Sequence, residues 1–381
     1  MAQDYYHIKV PTFKSGNFVF SRKFSNRMLQ PYRIEAKILY DTVKDLPILP
    51  SLASDLEQEL IRRSIFGTAA IEGNPLTEEK VGQIISEPNS FDLRANAEQE
   101  INNLKKVYDL FKKIEIQKSG KMPRLTEKLI KEAHKVITGK IKNEYNNPGN
   151  YRNHIVKVGN KEHGGIYTPP KCLADIKTLM KEFIKWINSD DIMKLDPPIR
   201  AALAHYYLGI IHPFGDGNGR TARWIEAALL HQSGIKYVPL MLSNFYYGNI
   251  DDYFLTFSKT IKDKENDVTH FLEFMLIGFI ESLKEIKERI IYIIRVLSLR
   301  DYFSFLSKSK LITRRQNDLL LLLLDKNINF TLKDLYDQTP FNLLYRKVSE
   351  RTARRDINVL KNKKLIISEG KKYKLNINTL G

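Results

Sequence analysis

Residues 212–223 read His-Pro-Phe-Gly-Asp-Gly-Asn-Gly-Arg-Thr-Ala-Arg, and they constrain the chain more than any other stretch. Upstream, Pro198–Ile211 carries Ala201, Ala204, Tyr207, Leu208 and Ile211 at helical spacing. Pro213 discourages that helix from continuing. Gly215, Gly217 and Gly219 allow backbone angles closed to other residues, so successive N–H groups can point into one concavity. A second helix is expected over Arg220–Gln232. The pattern is helix, tight turn, helix, and a helix N-terminus after a glycine-rich turn is a ready anion site. Arg220 and Arg223 share a face of its first turn. The stretch gathers a polyphosphate cradle, two guanidinium groups, a carboxylate (Asp216) suited to a hard cation such as Mg²⁺, and an imidazole. Singly these residues mean little: a His before Pro is mostly solvated or core, and Gly-Asn-Gly is mostly a turn. Their joint spacing carries the functional reading.

This stretch resembles the signature of the Fic family, His-Pro-Phe-x-Asp/Glu-Gly-Asn-Gly-Arg-x-x-Arg, at every specified position. The resemblance implies protein AMPylation: AMP moves from ATP, the substrate, to a Tyr, Thr or Ser hydroxyl of a target protein. It implies His212 as the base that takes the hydroxyl proton; an imidazole with an ordinary pKa of about 6.5 is mostly neutral at pH 7. It further implies Mg²⁺ on Asp216, phosphate oxygens on Asn218 and the backbone of Gly217–Gly219, leaving-group charge on Arg220, and the γ-phosphate on Arg223. Phe214 is implied as a core anchor for the loop. Removal of AMP and transfer of another nucleotide stay open. A reading of another class is a DNA-binding regulator whose Fic domain senses nucleotide; retention of His212 and Asp216 weighs against it.

With 381 residues the chain has room for two or three domains. Its formal charge of +17 favours anionic partners, whether nucleotide, nucleic acid or acidic protein surface, although lysine-rich composition alone gives the same excess. The one cysteine, Cys172, excludes an intramolecular disulfide and argues against a Cys-based zinc site. The first residues lack a basic-then-apolar leader pattern, and no apolar run reaches spanning length. The expectation is a cytoplasmic, bacterial protein with no membrane segment.

Tyr6–Phe20 has β-like alternation, and Pro31–Val43 reads as a helix with Pro31 in its first turn. Leu52, Leu56, Leu60, Ile61, Ile65 and Phe66 then mark a helix within residues 51–74, with Gly73 at its C-terminus and Pro75 enforcing the stop. The same end, Thr68-x-x-x-Glu72-Gly73, resembles the inhibitory motif of Fic proteins, Ser/Thr-x-x-x-Glu-Gly/Asn. The resemblance implies a bidentate Glu72–Arg223 pair that occupies the donors the γ-phosphate needs. Without it, Glu72 is an ordinary helix-end carboxylate. Thr77–Ser86, Ala95–Ile116 and Thr126–Ile137 read as scaffold helices, with a connector at Ser119–Pro123.

Ile155–Val158 and Ile166–Thr168 read as two short strands around Gly159–Gly165. The resemblance makes residues 153–170 a flap on which an extended target segment docks by strand addition. His154 and His163 lie there without a companion at metal-ligand spacing. Leu173–Trp186 reads as a core helix, and Val268–Ile294 as another. The resemblance puts Tyr247 and Asn249 on the adenine side, with plain packing as the alternative.

Residues 301–381 carry about nine of the excess positive charges. Helices are expected at Gln316–Leu324, Leu332–Gln338 and Ser349–Leu360, then a hairpin of Leu365–Ile367 and Tyr373–Leu375. Ala353, Ile357 and Leu360 share one face of the third helix, leaving Arg351, Arg354 and Arg355 outward. This order resembles a winged helix, with Ser349 capping the recognition helix. DNA contact through 349–375 and protein docking or dimerisation weigh equally. The expected fold is mainly α: a Fic-type helical bundle with a β-hairpin flap plus a small C-terminal winged-helix domain. The divisions expected are 1–110, 111–300 and 301–381, with homodimer formation a family expectation.

Overall fold

The computed structural model describes residues 7–87, 95–113 and 123–380. These form two compact units: residues up to Asp45 with 49–287, and residues 288–380 with Leu46–Ile48. The fold is mainly helical, as expected. The expected N-terminal region and central domain fall in one unit. The expected division at 300/301 falls instead at 287/288, because Leu299, Phe303 and Leu306 belong to the core of the second unit.

The first unit opens with an antiparallel hairpin, β1 (His7–Pro11) and β2 (Asn17–Ser21), with Ile8 opposite Phe20. Phe20 is fully buried and stacks on Phe183 and Trp186. Helix α1 (Asn26–Lys44) begins earlier than the apolar spacing suggests, because Ser25 caps it by accepting from the Met28 N–H; Pro31 therefore lies inside the helix rather than in its first turn. Helix α2 (Pro50–Ile71) has Pro50 in its first turn and ends at Glu72, with Gly73 at φ 84°.

Helices α3 (Glu78–Ser86), α4 (Asn96–Asp109) and α5 (Glu127–Ile137) follow. A short 3₁₀ turn, Leu110–Lys113, extends α4; the remainder of the expected Ala95–Ile116 helix lies outside the described residues, as does most of the Ser119–Pro123 connector. Helices α6 (Leu173–Ile187), α7 (Asp190–Met193), α8 (Pro197–Ile211), α9 (Asn218–Gln232), α10 (Leu242–Gly248), α11 (Ile250–Ile261) and α12 (Thr269–Lys308) complete the set. Helix α8 is buried on nearly every face from Ile199 to Ile211, the mark of a central core helix, and α9 packs along it. The turn at residues 212–217 therefore joins two core helices. Among the described residues no helix is long and apolar enough to cross a membrane.

The second unit contains α13 (Arg314–Lys326), the one-turn helices α14 (Asp334–Asp337) and α15 (Asn342–Tyr345), and α16 (Glu350–Asn362). An antiparallel hairpin, β3 (Ile366–Glu369) and β4 (Lys372–Leu375), follows, and Phe330 bridges to Tyr373 beside it. The helix expected at Leu332–Gln338 is thus the single turn α14, and α15 lies beyond it. Leu319, Leu323, Phe330, Ala353, Ile357 and Leu360 form its core.

Candidate active site

The turn 212–217 gains its shape from an unexpected source. His212 itself is left-handed (φ 50°, ψ 57°) and caps α8 through its N–H to Leu208 O at 3.0 Å. Of the three motif glycines only Gly217 is left-handed, at φ 74°, where it caps α9. Gly215 and Gly219 are needed for room instead: a Cβ at Gly215 would collide with the Tyr145 carbonyl oxygen, and one at Gly219 with the Glu72 carboxylate. Because α9 starts at Asn218, its first-turn N–H groups have no acceptor within the helix, which leaves them available to an anion.

The loop is cross-braced from within. Asn218 Oδ1 accepts from the Phe214 N–H and Asn218 Nδ2 donates to Phe214 O, each at 2.9 Å. This corrects the expectation of a phosphate role for the Asn218 side chain: it is buried and committed to the loop backbone. Phe214 is a buried anchor as expected. It stacks on His134, with ring centroids 3.6 Å apart. His134 Nδ1 accepts from the Gly149 N–H at 2.9 Å, so its Nε2–H donates to Asp216 O, also at 2.9 Å. Burial pushes His134 down to about 4 and keeps it neutral. In the sequence His134 stands only on a scaffold helix; a lone His on an apolar helix face gives no signal of such a role.

His212 Nδ1 lies 3.3 Å from Gly209 O. With Nδ1–H donating there, Nε2 carries the free lone pair. Burial, with Arg152 as a further cause, lowers its pKa to about 4. The ordinary value of about 6.5 expected from sequence is therefore corrected downward.

Arg152 likewise carries no signal in the sequence. Its Nε donates to His212 O at 2.8 Å, Nη1 to His154 O at 2.6 Å and Nη2 to Pro170 O at 2.9 Å, and its backbone N–H reaches Pro213 O at 3.0 Å. Burial lowers its pKa to about 10.

Arg220 bridges two carboxylates, Nη1 to Glu100 Oε1 and Nη2 to Asp216 Oδ1, both at 2.8 Å. Glu100 is fixed in turn by Asn74 Nδ2 at 2.9 Å. Burial works against Arg220's charge, and Glu100, Glu72 and Asp216 more than restore it. Asp216 Oδ1 also accepts from the Gly217 N–H, while among the described residues Oδ2 meets only Asn143 Nδ2 at 3.3 Å. One carboxylate oxygen thus faces outward with spare lone pairs. That fits Mg²⁺, which commonly takes one or two protein carboxylates and completes its shell with substrate phosphates and water. Among the described residues no group of three His, Cys, Asp or Glu side chains is placed to hold a metal without substrate.

Arg223 is buried and pairs with Glu72 at the cavity wall. Nη2 donates to Glu72 Oε1 at 2.6 Å and to Thr68 O at 3.2 Å, Nε donates to Thr68 Oγ1 at 2.8 Å, and Nη1 lies 3.4 Å from the Tyr253 hydroxyl. The pair is single-pronged, not the bidentate one expected, because Thr68 occupies the guanidinium edge that a second carboxylate oxygen would need. Burial opposes ionisation of Glu72, but Arg223 and Arg220 hold its carboxyl below the usual range. Gly73 shapes the chain beyond the helix and touches nothing in the cavity.

His212, Glu72 and Arg223 line a cavity of about 510 Å³, with Phe254 and Phe257 of α11 as its aromatic wall. Residues 158–167 roof it. This segment corrects the expected two strands: only Val158 and Tyr167 pair, because Gly159, Gly164 and Gly165 at positive φ turn the chain away. Its tip rests on α11 instead, with Ser258 Oγ donating to Gly164 O at 3.0 Å, Lys262 Nζ donating to the same oxygen, and His163 Nε2 2.8 Å from Asp251. Ile155 and Ile166 of the segment are exposed. Tyr247 and Asn249 are not brought to the cavity. Tyr247 stands edge-on to Phe66, and Asn249 Nδ2 donates to Phe245 O.

Residues 124–230 match the family model described as Fic/DOC family. The chain is 32% identical over 186 residues to Protein adenylyltransferase Fic of Drosophila ananassae, covering 49% of this chain and 35% of that one. It is 29% identical over 219 residues to Protein adenylyltransferase Fic of Aedes aegypti, covering 58% and 40%. The chain thus spans well under half the length of these curated relatives. Among solved structures, a Fic family protein from Desulfovibrio desulfuricans G20 superposes at TM-score 0.54 and 19% identity over 91% of this chain and 95% of that one. A Fic domain containing signaling protein from Bacteroides thetaiotaomicron superposes at TM-score 0.54 and 24% identity over 67% and 96%. These two share the fold. Signature, turn geometry and family model coincide on the same residues, and residues 124–230 therefore form a domain of the Fic/DOC family.

Proposed function

We propose that this protein transfers AMP from ATP to a hydroxyl side chain of a target protein, with Mg²⁺, and that Glu72 restrains the reaction. The observation that carries the reading is the convergence of a neutral His212, the buried Arg223 and Gly219 in the first turn of α9 on one cavity with an aromatic wall, beside the buried Arg220 that holds Asp216. The adenylyltransferase names of the curated relatives support the same chemistry.

In this reading the target hydroxyl oxygen attacks the α-phosphorus of ATP. The bond from that phosphorus to the bridging oxygen of the β-phosphate breaks, pyrophosphate leaves, and the hydroxyl proton passes to His212 Nε2. The first-turn N–H groups of α9 bind phosphate oxygens, and Arg220 offsets charge on the leaving pyrophosphate. Mg²⁺, when held by Asp216, neutralises phosphate charge. Phe254 and Phe257 suit the adenine ring better than Tyr247 or Asn249, which stand away from the cavity. The exposed Ile155 and Ile166 beside the single Val158–Tyr167 rung offer an open backbone edge for an extended target segment. Arg223 in its present state is spoken for by Thr68 and Glu72, so a γ-phosphate must displace a contact to reach it.

The test is incubation of wild type, Glu72→Gly and Glu72→Gly/His212→Ala with α-labelled ATP and Mg²⁺, with and without cell lysate. Label on protein with Glu72→Gly, lost with the added His212 change, is the expected result. No label in any sample while ATP still binds would overturn it and turn attention to other nucleotides or AMP removal.

A further inference from the structure

The second unit carries a surface that nucleotidyl transfer does not use. Residues 346–374 hold eleven Lys and Arg against three acids, a net of +8 within a chain of +17. All three acids are locally engaged: Asp356 is buried against Arg315 and Gln316, Glu350 pairs with Arg354, and Glu369 with Lys374. Every one of the basic residues except Lys374 is exposed.

Helix α16 organises this charge. Ala353, Asp356, Ile357 and Leu360 are its buried face. At about 100° per residue, the opposite face is a single ridge of Arg351, Arg355, Asn358 and Asn362, and all four are exposed. Among the described residues neither Arg351 nor Arg355 pairs with a carboxylate. A helix face that only keeps a unit in solution can be built from lysine and glutamate. This ridge has instead the two side chains whose planar groups match base edges in two places, Arg on guanine and Asn on adenine. The 13 residues of α16 extend for about 20 Å, enough to lie in a major groove about 12 Å wide. Lys363 and Lys364 follow the helix, and Lys371 and Lys372 adjoin the hairpin turn at Gly370.

We propose that α16 reads the major groove of duplex DNA through Arg351, Arg355, Asn358 and Asn362, while the lysines at 363, 364, 371 and 372 hold phosphates. The amide-bearing ridge is what favours DNA over an acidic protein, which needs charge alone. The deep, narrow major groove of duplex RNA does not admit a helix.

The full chain is titrated, by fluorescence anisotropy, against a random-sequence duplex pool, and the bound fraction is enriched by repeated selection. Binding is expected, weakening about a hundredfold between about 50 and 200 mM salt for the four phosphate contacts, with an enriched sequence emerging. Lys363→Ala/Lys364→Ala should weaken binding equally for all sequences. Asn358→Ala/Asn362→Ala should keep the salt dependence but cut the preference for the enriched sequence about ten- to a hundredfold. Arg351→Ala/Arg355→Ala should lose both affinity and preference. All six positions are exposed, and unchanged melting temperatures will confirm that each variant is folded. Failure to bind duplex at low salt, ridge variants that discriminate like wild type, or tighter binding to polyglutamate or to structured RNA would each overturn the proposal.

Discussion

Arg223 gives more of its guanidinium to Thr68 than to Glu72: two hydrogen bonds, at 2.8 and 3.2 Å, against one at 2.6 Å. The restraint proposed for Glu72 is therefore a whole helix end. If a charge-assisted bond is worth about 1.5–3 kcal/mol, Glu72→Gly should raise the initial rate of labelling about ten- to a hundredfold. Thr68→Ala should raise it less, since the carboxylate and the Thr68 carbonyl remain. Initial rates with α-labelled ATP decide this; equal rates in wild type and Thr68→Ala would make Thr68 a packing residue only.

The depressed pKa of His212 fixes a pH profile. An imidazole with a pKa of about 4 is already the free base at pH 5. In the Glu72→Gly variant, kcat/KM should stay flat from about pH 8 to 5 and fall only as pH approaches about 4. A midpoint near 6.5 would mean that the base is more solvated than the structure makes it.

His134 yields a stability prediction. Its folded pKa of about 4 lies below the unfolded value of about 6.5. Between those values the unfolded chain binds more protons, so stability rises with pH. The melting temperature should fall as pH drops from about 6.5 to 4. His134→Phe should be less stable at neutral pH, having lost two hydrogen bonds, but should show a shallower pH slope in that window.

These dependencies also show what the sequence could convey. The turn and its flanking helices were legible because Pro213, the glycines and apolar residues at helical spacing act locally. Thr68 and Glu72 were legible only through a known motif. Glu100, His134 and Arg152 were not legible. Glu100 meets Arg220 from 120 residues away, and His134 meets Asp216 from 82. No local pattern encodes a pairing made by helix packing. Gly215 and Gly219 were read rightly as special but for the wrong reason: their need is space beside Tyr145 and Glu72, which only the packed fold defines.

Glu100 and Asp216 share Arg220. Removing one claimant should tighten the other's hold. Glu100→Gln in the Glu72→Gly background should draw Arg220 towards Asp216 and raise the Mg²⁺ concentration for half-maximal labelling about three- to tenfold. A Mg²⁺ titration reads this directly; an unchanged midpoint would show that Arg220 does not compete with the metal for Asp216.

Arg152→Lys keeps a charge but loses the rigid three-way donor geometry. In the Glu72→Gly background kcat should fall about tenfold or more, with KM for ATP nearly unchanged. A matching rise in KM would mean that Arg152 supports binding rather than alignment.

One planar side chain thus grips the His212 carbonyl and, at His154 and Pro170, the chain on either side of the cavity roof. Arg152 and His212 are 60 residues apart in sequence. Small errors along that path would otherwise accumulate in the gap between the roof and His212. A shared datum removes them: the segments leading into and out of the roof and the His212 backbone are all set from one guanidinium, so their spacing is fixed by a single side chain.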